Sequence, residues 1–323
     1  MKVLITATSF SEVTKEPEER LTEAGHEVIH NPYGRPMTAE ELAPVLEGVD
    51  ACGAGVDDFS APALTRVDRL KVIVKHGAGV DNIDIAECTR RGIVVANVPG
   101  ANAEAVADMS FALMLAVARQ IPLGDRTTKA GEWVNTYGVD VHGATLGLLG
   151  MGRIGKAAAR RGKGFDMRVL VYDPYFDEEF ADEQGVERAE SIEQVMREAD
   201  FVSVHMPLNQ ETHGIIDAEK IALMKPTAIL VNTARGAIVD EEALADALEE
   251  GRIFGAGLDV YAAEPPAGSR LIRCERTVTI PHNSSNTTGA LLAMGNGVTD
   301  AILAVFSGGR PQHCVNQEIY EAR

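Results

Sequence analysis

Cysteine is scarce in this sequence of 323 residues. The four thiols lie far apart along the chain, with neither the close pairs that bind zinc nor the spacing of a disulfide framework. We therefore expect reduced cysteines, no metal site and a cytoplasmic protein. The cysteines are Cys52, Cys88, Cys274 and Cys314.

Positive charge is also in short supply. The chain has 30 lysines and arginines against 48 aspartates and glutamates, and its formal net charge is −18. This balance argues against binding to nucleic-acid phosphates or to anionic membranes, and its simplest interpretation is solubility. An anionic substrate would have to be attracted by a local cluster of basic side chains.

Long apolar runs and internal repeats are absent. No stretch approaches the about 18 apolar residues of a membrane-spanning helix. The N-terminal sequence Met-Lys-Val-Leu-Ile-Thr predicts a first β-strand and not a signal peptide. A composition of 45% hydrophobic and 24% charged residues is typical of a soluble globular protein, and the length is sufficient for two domains.

What the sequence does contain is a glycine-rich turn near its middle, which matches the pattern G-x-G-x-x-G. Apolar residues 146–149 before the turn predict a buried parallel strand, and residues 156–163 after it predict a helix. A second predicted strand, 169–172, ends on Asp173, 18 residues after the last glycine. This unit has the layout of a dinucleotide-binding site. The glycines are Gly150, Gly152 and Gly155.

Each part of the unit has a physical purpose. The first glycine permits a tight turn, the second lets the backbone approach a pyrophosphate, and the third lets the helix pack closely on the strand. The helix N-terminus offers unpaired N–H groups to phosphates. Asp173 would accept hydrogen bonds from the adenosine ribose and repel a 2′-phosphate, which favours NAD over NADP. The alternative is a glycine-rich turn in an ordinary α/β domain.

Before this unit, the first 98 residues alternate short β-rich runs with helical patterns. Such alternation predicts a parallel sheet with helices on both faces. The loop at residues 75–82, Lys-His-Gly-Ala-Gly-Val-Asp-Asn, follows one of these strands, and its N–H groups can converge on an anion. A plain strand-to-helix turn is an equal alternative. The predicted strands are 3–7, 27–30, 51–53, 72–74 and 94–96, and the predicted helices are 18–24 and 39–47.

A break at residues 97–102 resembles a hinge. The helix predicted for residues 103–119 is apolar on most of its circumference, as in helices buried between domains or between subunits. A polar passage, 124–143, contains the only tryptophan, Trp133, and leads to the glycine turn. A last helix is expected to return to the first domain. The later predicted strands are 201–205, 228–232, 253–258 and 277–280, and the last helix is 289–306.

Arg235, Glu264 and His282 follow three of the later strands. Hydride transfer to or from a 2-keto acid needs a guanidinium that binds the carboxylate and polarises the carbonyl. It also needs an acid–base group, for which histidine is suited, and a neighbouring carboxylate stabilises the imidazolium. Each residue alone has an ordinary alternative as a surface cation, a loop acid or a turn residue. Together, downstream of a dinucleotide fold, they indicate a dehydrogenase.

In these motifs the sequence resembles the D-isomer-specific 2-hydroxyacid dehydrogenase family over essentially its whole length. The resemblance implies an α/β fold of two Rossmann-like domains. A flavodoxin-like substrate-binding domain would comprise residues 1–98 and 287–323, and an inserted NAD-binding domain with a doubly wound parallel sheet would comprise residues 99–286. It also implies a cleft at the hinge and a homodimer built through the nucleotide-binding domains. The matching motifs are 77–84, 145–155, 205–208, 232–240, 257–265 and 281–282.

Carried over position by position, the resemblance makes Arg235 the substrate clamp, Glu264 the partner of the histidine and His282 the proton donor in reduction. The implied cofactor-binding residues are Val106, Gly150, Gly152, Arg153, Ile154, Gly155, Asp173, His205, Met206, Pro207, Thr212, Thr233, Ala234, Arg235, Asp259, His282, Ser284 and Ser285. The implied substrate-binding residues are Lys75, His76, Gly77, Ala78, Gly79, Arg235 and His282.

Two departures from the family pattern stand out. After the catalytic histidine the family usually has an apolar residue and then glycine, whereas this chain has Asn283, Ser284 and Ser285. In the long apolar helix, Asp108 stands where the family commonly has glutamate. Neither departure touches the three catalytic positions.

The N-terminal half is most similar to the phosphoglycerate dehydrogenase branch, so a 3-phosphoglycerate-like acid is the main expectation. We hypothesise that Lys75, His76 and Arg35 form the pocket for the distal group of the substrate. That branch often has two arginines that bind the substrate phosphate. This chain has Lys75 at the first of these positions and lacks the second, near Gly53, so hydroxypyruvate or glyoxylate is the alternative. A dinucleotide-sensing binding protein without turnover is a further alternative, which the intact Arg235, Glu264 and His282 disfavour.

Overall fold

The computed structural model describes residues 1–321, in which helices alternate with parallel strands. The strands are β1 (Lys2–Ile5), β2 (Glu27–His30), β3 (Ala51–Ala54), β4 (Val72–Lys75), β5 (Val94–Ala96), β6 (Thr145–Leu149), β7 (Arg168–Tyr172), β8 (Glu187–Arg188), β9 (Phe201–Val204), β10 (Ile229–Asn232), β11 (Gly255–Leu258) and β12 (Thr277–Thr279). The helices are α1 (Glu16–Glu23), α2 (Ala39–Val45), α3 (Ile85–Arg90), α4 (Ala103–Ala118), α5 (Ile121–Lys129), α6 (Arg153–Gly164), α7 (Glu178–Gln184), α8 (Ile192–Glu198), α9 (Ala218–Ile221), α10 (Glu241–Glu249), α11 (Thr288–Phe306) and α12 (Glu318–Glu321).

The chain divides into two compact units. Met1–Asn102 and the chain from Ser285 onward form the first, and Ala103–Ser284 forms the second. The predicted end of the first segment, residue 98, lies four residues before the observed one, and the predicted start of the last segment, residue 287, lies two residues after the observed one. The hinge stays with the first unit because Val98 N donates to Gly77 O at 2.8 Å. Ser285, which the resemblance assigns to cofactor binding, therefore belongs to the first unit.

Each unit is built on one parallel sheet. The first has the order β2-β1-β3-β4-β5, and the second has the order β12-β11-β10-β9-β6-β7-β8. In the second sheet the direction of strand addition reverses between β6 and β9, which is the type of switch point at which α/β sheets bind ligands. The carboxyl ends of all these parallel strands lie at one edge of their sheet, so the residues that follow them come together there.

Both faces of the sheets are covered by apolar side chains, as predicted. Along β7, Val169 and Val171 belong to one apolar cluster and Leu170 belongs to another. Successive side chains of a strand point to opposite faces, so two clusters mean two covered faces. This explains why the strands read as continuous apolar runs. The α/β fold class with two Rossmann-like domains is confirmed.

The apolar helix α4 packs against α6, β10 and β11 within the second unit. Its close approach explains the glycines of β11. A Cβ added to Gly257 would lie 2.8 Å from Leu113 Cβ, and one added to Gly255 would lie 2.6 Å from Val117 Cγ1. Burial between domains or subunits is thus not needed to explain why α4 is apolar, because the sheet of its own unit covers it.

Helix α11 is long and apolar enough to cross a membrane by length and composition, contrary to the expectation that no stretch approaches this limit. It packs against α1 in the first unit. Thr299 Oγ1 donates to Pro17 O at 2.8 Å, and Arg20 forms an ion pair with Asp300 at 2.6 Å. Its apolar residues therefore serve the core of the first unit.

Helix α5 was missed by the sequence analysis, which assigned most of it to a polar passage. Pro122 at its start and Gly124 inside it mask the helical pattern. None of its residues is buried. Beyond it, the side chains of Trp133 and Tyr137 are 91% and 81% exposed. This segment of the second unit therefore presents large apolar groups to solvent.

Candidate active site

The glycine turn after β6 has the geometry that a pyrophosphate requires. Gly150 has φ +110°, and a Cβ there would lie 2.8 Å from the backbone of His205. A Cβ at Gly155 would lie 2.1 Å from Gly150 O, so the third glycine is needed for the close passage of α6. Gly152 caps α6 and has open space where its Cβ would be. The N–H groups at the start of α6, including those of Arg153 and Ile154, therefore border a cradle that fits phosphate oxygens.

Asp173 lies directly after β7, where the adenosine ribose of a dinucleotide would lie. Its Oδ2 accepts a hydrogen bond from Met151 N at 2.5 Å, and its Oδ1 accepts one from Tyr175 N at 2.7 Å. These bonds tie the acid to the glycine turn and fix its direction. A carboxylate has further lone pairs for hydroxyl groups, so the residues present fit a dinucleotide.

The loop after β9 begins with His205, Met206 and Pro207. Nε2 of His205 lies 2.9 Å from Ser203 Oγ, and burial lowers the pKa of this histidine to about 4. The ring is therefore neutral at physiological pH. Met206 joins the apolar core of the second unit, and Thr212 Oγ1 donates to Pro207 O at 2.6 Å. Thus Thr212 closes this loop with the hydrogen of its hydroxyl group.

The turn after β10 is shaped by Asn232. Its Oδ1 accepts a hydrogen bond from Ala234 N at 3.0 Å, and its Nδ2 donates to Arg235 O at 2.9 Å. Arg235 Nη1 donates to Ala234 O at 2.7 Å. The next residue must be glycine, because a Cβ at Gly236 would lie 1.9 Å from the carbonyl carbon of Tyr261. The sequence analysis missed the role of Asn232, although an asparagine that starts a turn is a recognisable signal.

His282 and Glu264 form the pair that the sequence predicted. His282 Nδ1 lies 2.7 Å from Glu264 Oε2, and Glu264 Oε1 accepts a hydrogen bond from Tyr261 N at 3.1 Å. A carboxylate only accepts hydrogen bonds, so Nδ1 carries a hydrogen and Nε2 is left to exchange a proton with another group. The imidazole is 32% exposed, which leaves it accessible to a small molecule.

The backbone that carries His282 is held by Asp259. The N–H of His282 donates to Asp259 O at 2.8 Å, and the carboxylate accepts from Asn283 N at 2.7 Å and Ser284 N at 3.1 Å. His282 has φ +46°, an unfavourable value for a residue with a side chain, and these three bonds hold it there. The family resemblance implied that Asp259 is a cofactor-binding residue. In the structure it is 1% exposed and positions the loop that carries His282.

The residues that depart from the family pattern carry buried polar atoms. Asn283 Oδ1 and Ser284 Oγ are both buried, and within residues 1–321 neither has a hydrogen-bond partner. Asp108 pairs with Arg161 at 2.6 Å on the surface of α4, so the shorter acid still reaches an arginine of α6.

In the first unit, the loop after β4 is organised by a buried lysine. Lys75 is 5% exposed, and its Nζ donates to Gly55 O at 2.6 Å and to Asn82 Oδ1 at 2.8 Å. Asn82 Nδ2 also donates to Gly55 O and to Asp57 O. The lysine thus ties the loop after β3 to the loop after β4. These bonds indicate a structural role for Lys75, whereas the sequence analysis expected a cation that binds the distal group of the substrate.

His76 and the loop glycines lie beside this lysine. Burial, together with the charge of Lys75, lowers the pKa of His76 to about 4, so its ring is neutral. Its Nδ1 lies 3.4 Å from Ser9 Oγ. Gly77 has φ +145°, and in residues 1–321 the following N–H groups, of Ala78 and Gly79, make no hydrogen bond, as an anion-binding loop requires.

Arg35 does not join this group. Its guanidinium binds both carboxylate oxygens of Glu41, at 2.9 and 2.6 Å, and it also donates to Pro36 O. Glu41 is the acid of the capping box that begins α2. These bonds give Arg35 a local role beside the capping box, and its place in the distal pocket of the substrate stays a prediction.

Comparison with known proteins identifies the family. Residues 111–284 match the model of the D-isomer specific 2-hydroxyacid dehydrogenase, NAD binding domain. A glyoxylate reductase of Korarchaeum cryptofilum is 41% identical over 96% of this chain and 97% of its own length. A D-3-phosphoglycerate dehydrogenase of Methanocaldococcus jannaschii is 40% identical over 87% of this chain, which covers 54% of that protein.

A solved structure extends the match to three dimensions. The TT0316 protein of Thermus thermophilus is 38% identical, with a TM-score of 0.85 over 98% of this chain and 100% of that one. The sequence-based prediction of family and reaction class is confirmed. The chain belongs to the D-isomer specific 2-hydroxyacid dehydrogenase family, and it is an oxidoreductase that acts on CH–OH groups with a nicotinamide dinucleotide.

Proposed function

We propose that this protein is an NAD-dependent reductase of small unphosphorylated 2-keto acids, with glyoxylate and hydroxypyruvate as the leading substrates. The observation that carries the proposal is the hydrogen bond of 2.7 Å between His282 and Glu264. This pair of side chains lies at the carboxyl edge of the sheet of the second unit, where Arg235 and the glycine turn also lie. A nucleotide-binding protein without turnover would not need an oriented acid–base pair there.

The residues divide the chemistry between them. The reduced cofactor supplies a hydride to the carbonyl carbon when it is bound. Arg235 binds the substrate carboxylate and draws electron density from the carbonyl. His282 donates the proton on Nε2 to the carbonyl oxygen, so that keto acid, hydride and proton together give the 2-hydroxy acid. Glu264 stabilises the imidazolium before transfer and holds the ring in place.

The surroundings of three residues in the first unit, and the name of one relative, support an unphosphorylated substrate over the 3-phosphoglycerate that was first expected. The ammonium group of Lys75 is directed to Gly55 O and Asn82 Oδ1, and His76 is neutral. Arg35 is bound to Glu41. Of the three residues proposed for a phosphate dianion, the neutral His76 thus offers no charge, and the ammonium of Lys75 is already directed to two oxygens of the protein. A relative that matches over nearly its full length is named a glyoxylate reductase.

A substrate panel with a Lys75→Met variant tests this proposal. We expect NADH oxidation with glyoxylate and hydroxypyruvate, and at least about 10-fold lower kcat/KM with phosphohydroxypyruvate. Because Lys75 holds two loops together, Lys75→Met should lower kcat/KM for all three acids by a common factor, within about 3-fold. A loss confined to the phosphorylated acid would contradict the proposal. The exposed Lys15→Met is the control, since it removes the same charge from another part of the first unit.

We further propose that the protein is a homodimer assembled through its second unit. Support comes from the exposed segment that follows α4, where no residue of α5 is buried and Trp133 is almost fully exposed. Apolar side chains of this size on a surface mark interaction sites. A location in the cytoplasm is also proposed, and it is supported by four cysteines that are all free.

Sedimentation equilibrium tests the dimer. The unaltered chain should have twice its monomer mass of 34.5 kDa. The double change Trp133→Ser and Tyr137→Ser should raise the dimer dissociation constant by about 100-fold, as expected for aromatic anchors. Tyr175→Ser is the matched control, because that tyrosine is also 91% exposed but lies outside the segment. A monomeric unaltered chain, or equal effects of both changes, would refute this assembly.

A further inference from the structure

One hydroxyl group stands among the apolar side chains of α4, and it belongs to Ser110. Ser110 is fully buried. Its Oγ donates to Val106 O, one turn earlier, at 2.9 Å, and lies 2.9 Å from Oγ1 of Thr233. A buried hydroxyl in an apolar helix is costly without partners, so its two partners here explain how it is tolerated.

Counting hydrogens fixes the direction of the second bond. A serine hydroxyl has one hydrogen, and a carbonyl oxygen such as that of Val106 can only accept. When Ser110 donates to Val106, the hydrogen in the contact with Thr233 must come from Thr233. The opposite direction would break the bond to Val106 and form one bond in place of two. Thr233 Oγ1 therefore donates its hydrogen to Ser110 and has only lone pairs for any further partner.

The position of Thr233 indicates which group donates a hydrogen bond to these lone pairs, and this step rests on the proposed binding of NAD(H). Thr233 is the first residue after β10 and is 8% exposed. From the ribose acid after β7 and the phosphate cradle after β6, the sheet continues through β9 to β10. A dinucleotide laid across the carboxyl ends of these strands brings its nicotinamide half to β10. The carboxamide of that ring carries N–H donors, which need acceptors.

We propose that Ser110 is a positioning residue for the cofactor: it takes the hydroxyl hydrogen of Thr233 and thereby makes Thr233 Oγ1 an acceptor for the nicotinamide carboxamide. Ser110 itself does not touch the cofactor. The arrangement selects a ring substituent with an N–H group over one with a carbonyl alone. It also explains why a hydroxyl is placed at the fully buried position of α4 that faces the end of β10.

Calorimetric binding of two cofactors to the full chain tests this proposal. One is NADH, and the other is its acetylpyridine analogue, in which an acetyl group without N–H replaces the carboxamide. Thr233→Val should raise the Kd of NADH by about 10-fold, and Ser110→Ala should raise it by about 3- to 10-fold, as for loss or misdirection of one hydrogen bond. Binding of the analogue should change by less than about 2-fold in either variant.

Three controls separate positioning from a loss of packing. Ser110→Thr and Thr233→Ser keep both hydroxyl groups and should bind NADH within about 3-fold of the unaltered chain. Thr299→Val removes a buried hydroxyl bond of similar length in the first unit and should lower the Tm without changing either Kd. If the Ser110 and Thr233 variants weaken both cofactors equally, or if Ser110→Ala leaves NADH binding unchanged, the role of Ser110 is refuted. Failure of the unaltered chain to bind NADH would instead refute the proposed function.

Discussion

Replacing His282 by glutamine should lower kcat for keto-acid reduction by about 10²- to 10⁴-fold, the usual contribution of a positioned general acid. Glutamine retains a hydrogen-bond donor but does not ionise, so it cannot deliver a proton to the carbonyl oxygen. His282 is itself one of the implied cofactor-binding residues, but the glycine turn and Asp173 lie on other strands, so the Kd of NADH should rise by no more than about 3-fold. Steady-state kinetics together with calorimetric NADH binding measures both quantities.

The backbone at His282 calls for a second variant. Its φ of +46° is costly for most side chains, so a displaced loop would also lower kcat in His282→Gln. Asparagine tolerates this region better than other residues with side chains, and His282→Asn should show the same large loss. Glu264→Gln, which keeps the contact with the ring but removes the charge, should lower kcat less than either change. Full turnover by both His282 variants would disprove the proton-transfer role.

Replacing Asp173 by asparagine should change the preference of the enzyme from NADH towards NADPH. The carboxylate repels a 2′-phosphate dianion, and its removal should raise the ratio of kcat/KM for NADPH to that for NADH by about 10²-fold. Asparagine keeps one oxygen to accept from the backbone N–H of Met151 or Tyr175, so the glycine turn should persist. Initial rates with each cofactor at saturating glyoxylate give the ratio.

The exposed Asp182→Asn is the control for the Asp173 experiment, because it removes one negative charge from the surface of the same unit. At 0.15 M salt the screening length is about 8 Å, so a distant charge should leave the cofactor ratio unchanged. A preference for NADPH in the unaltered chain would contradict the proposed NAD dependence. An unchanged ratio in Asp173→Asn would show that the acid does not face the 2′ position.

Some features of this protein were predictable because their causes are local. The glycine turn is one example, since φ +110° at Gly150 and the contact of 2.1 Å at Gly155 admit no side chain. The strands β2 and β5 were predicted residue for residue, and α6 differs from its prediction mainly by an earlier start at Arg153. The pairing of Glu264 with His282 was implied by the family resemblance, and its geometry now supports the predicted chemistry.

Other features depended on contacts between distant parts of the chain. Arg35 was expected in a substrate pocket, and the sequence analysis did not foresee that Glu41, six residues later, binds its guanidinium. The apolar face of α4 indicated burial without indicating the covering surface, which is the sheet of its own unit. Helix α5 was missed because Pro122 and Gly124 disfavour a helix locally, and none of its residues is buried in a core that would mark it.

By itself, the sequence determined the parallel α/β architecture and the dinucleotide turn, because each depends on residue types at fixed spacing along the chain, and its family resemblance implied the acid–base pair. Only the tertiary structure decided what the polar side chains bind. It bound the ammonium group of Lys75 to Gly55 O and Asn82 Oδ1, placed Asp259 where it supports the loop of His282, and joined Ser110 to Thr233. A hydrogen bond depends on distances of about 3 Å between groups that are many residues apart, and local sequence patterns do not encode such distances.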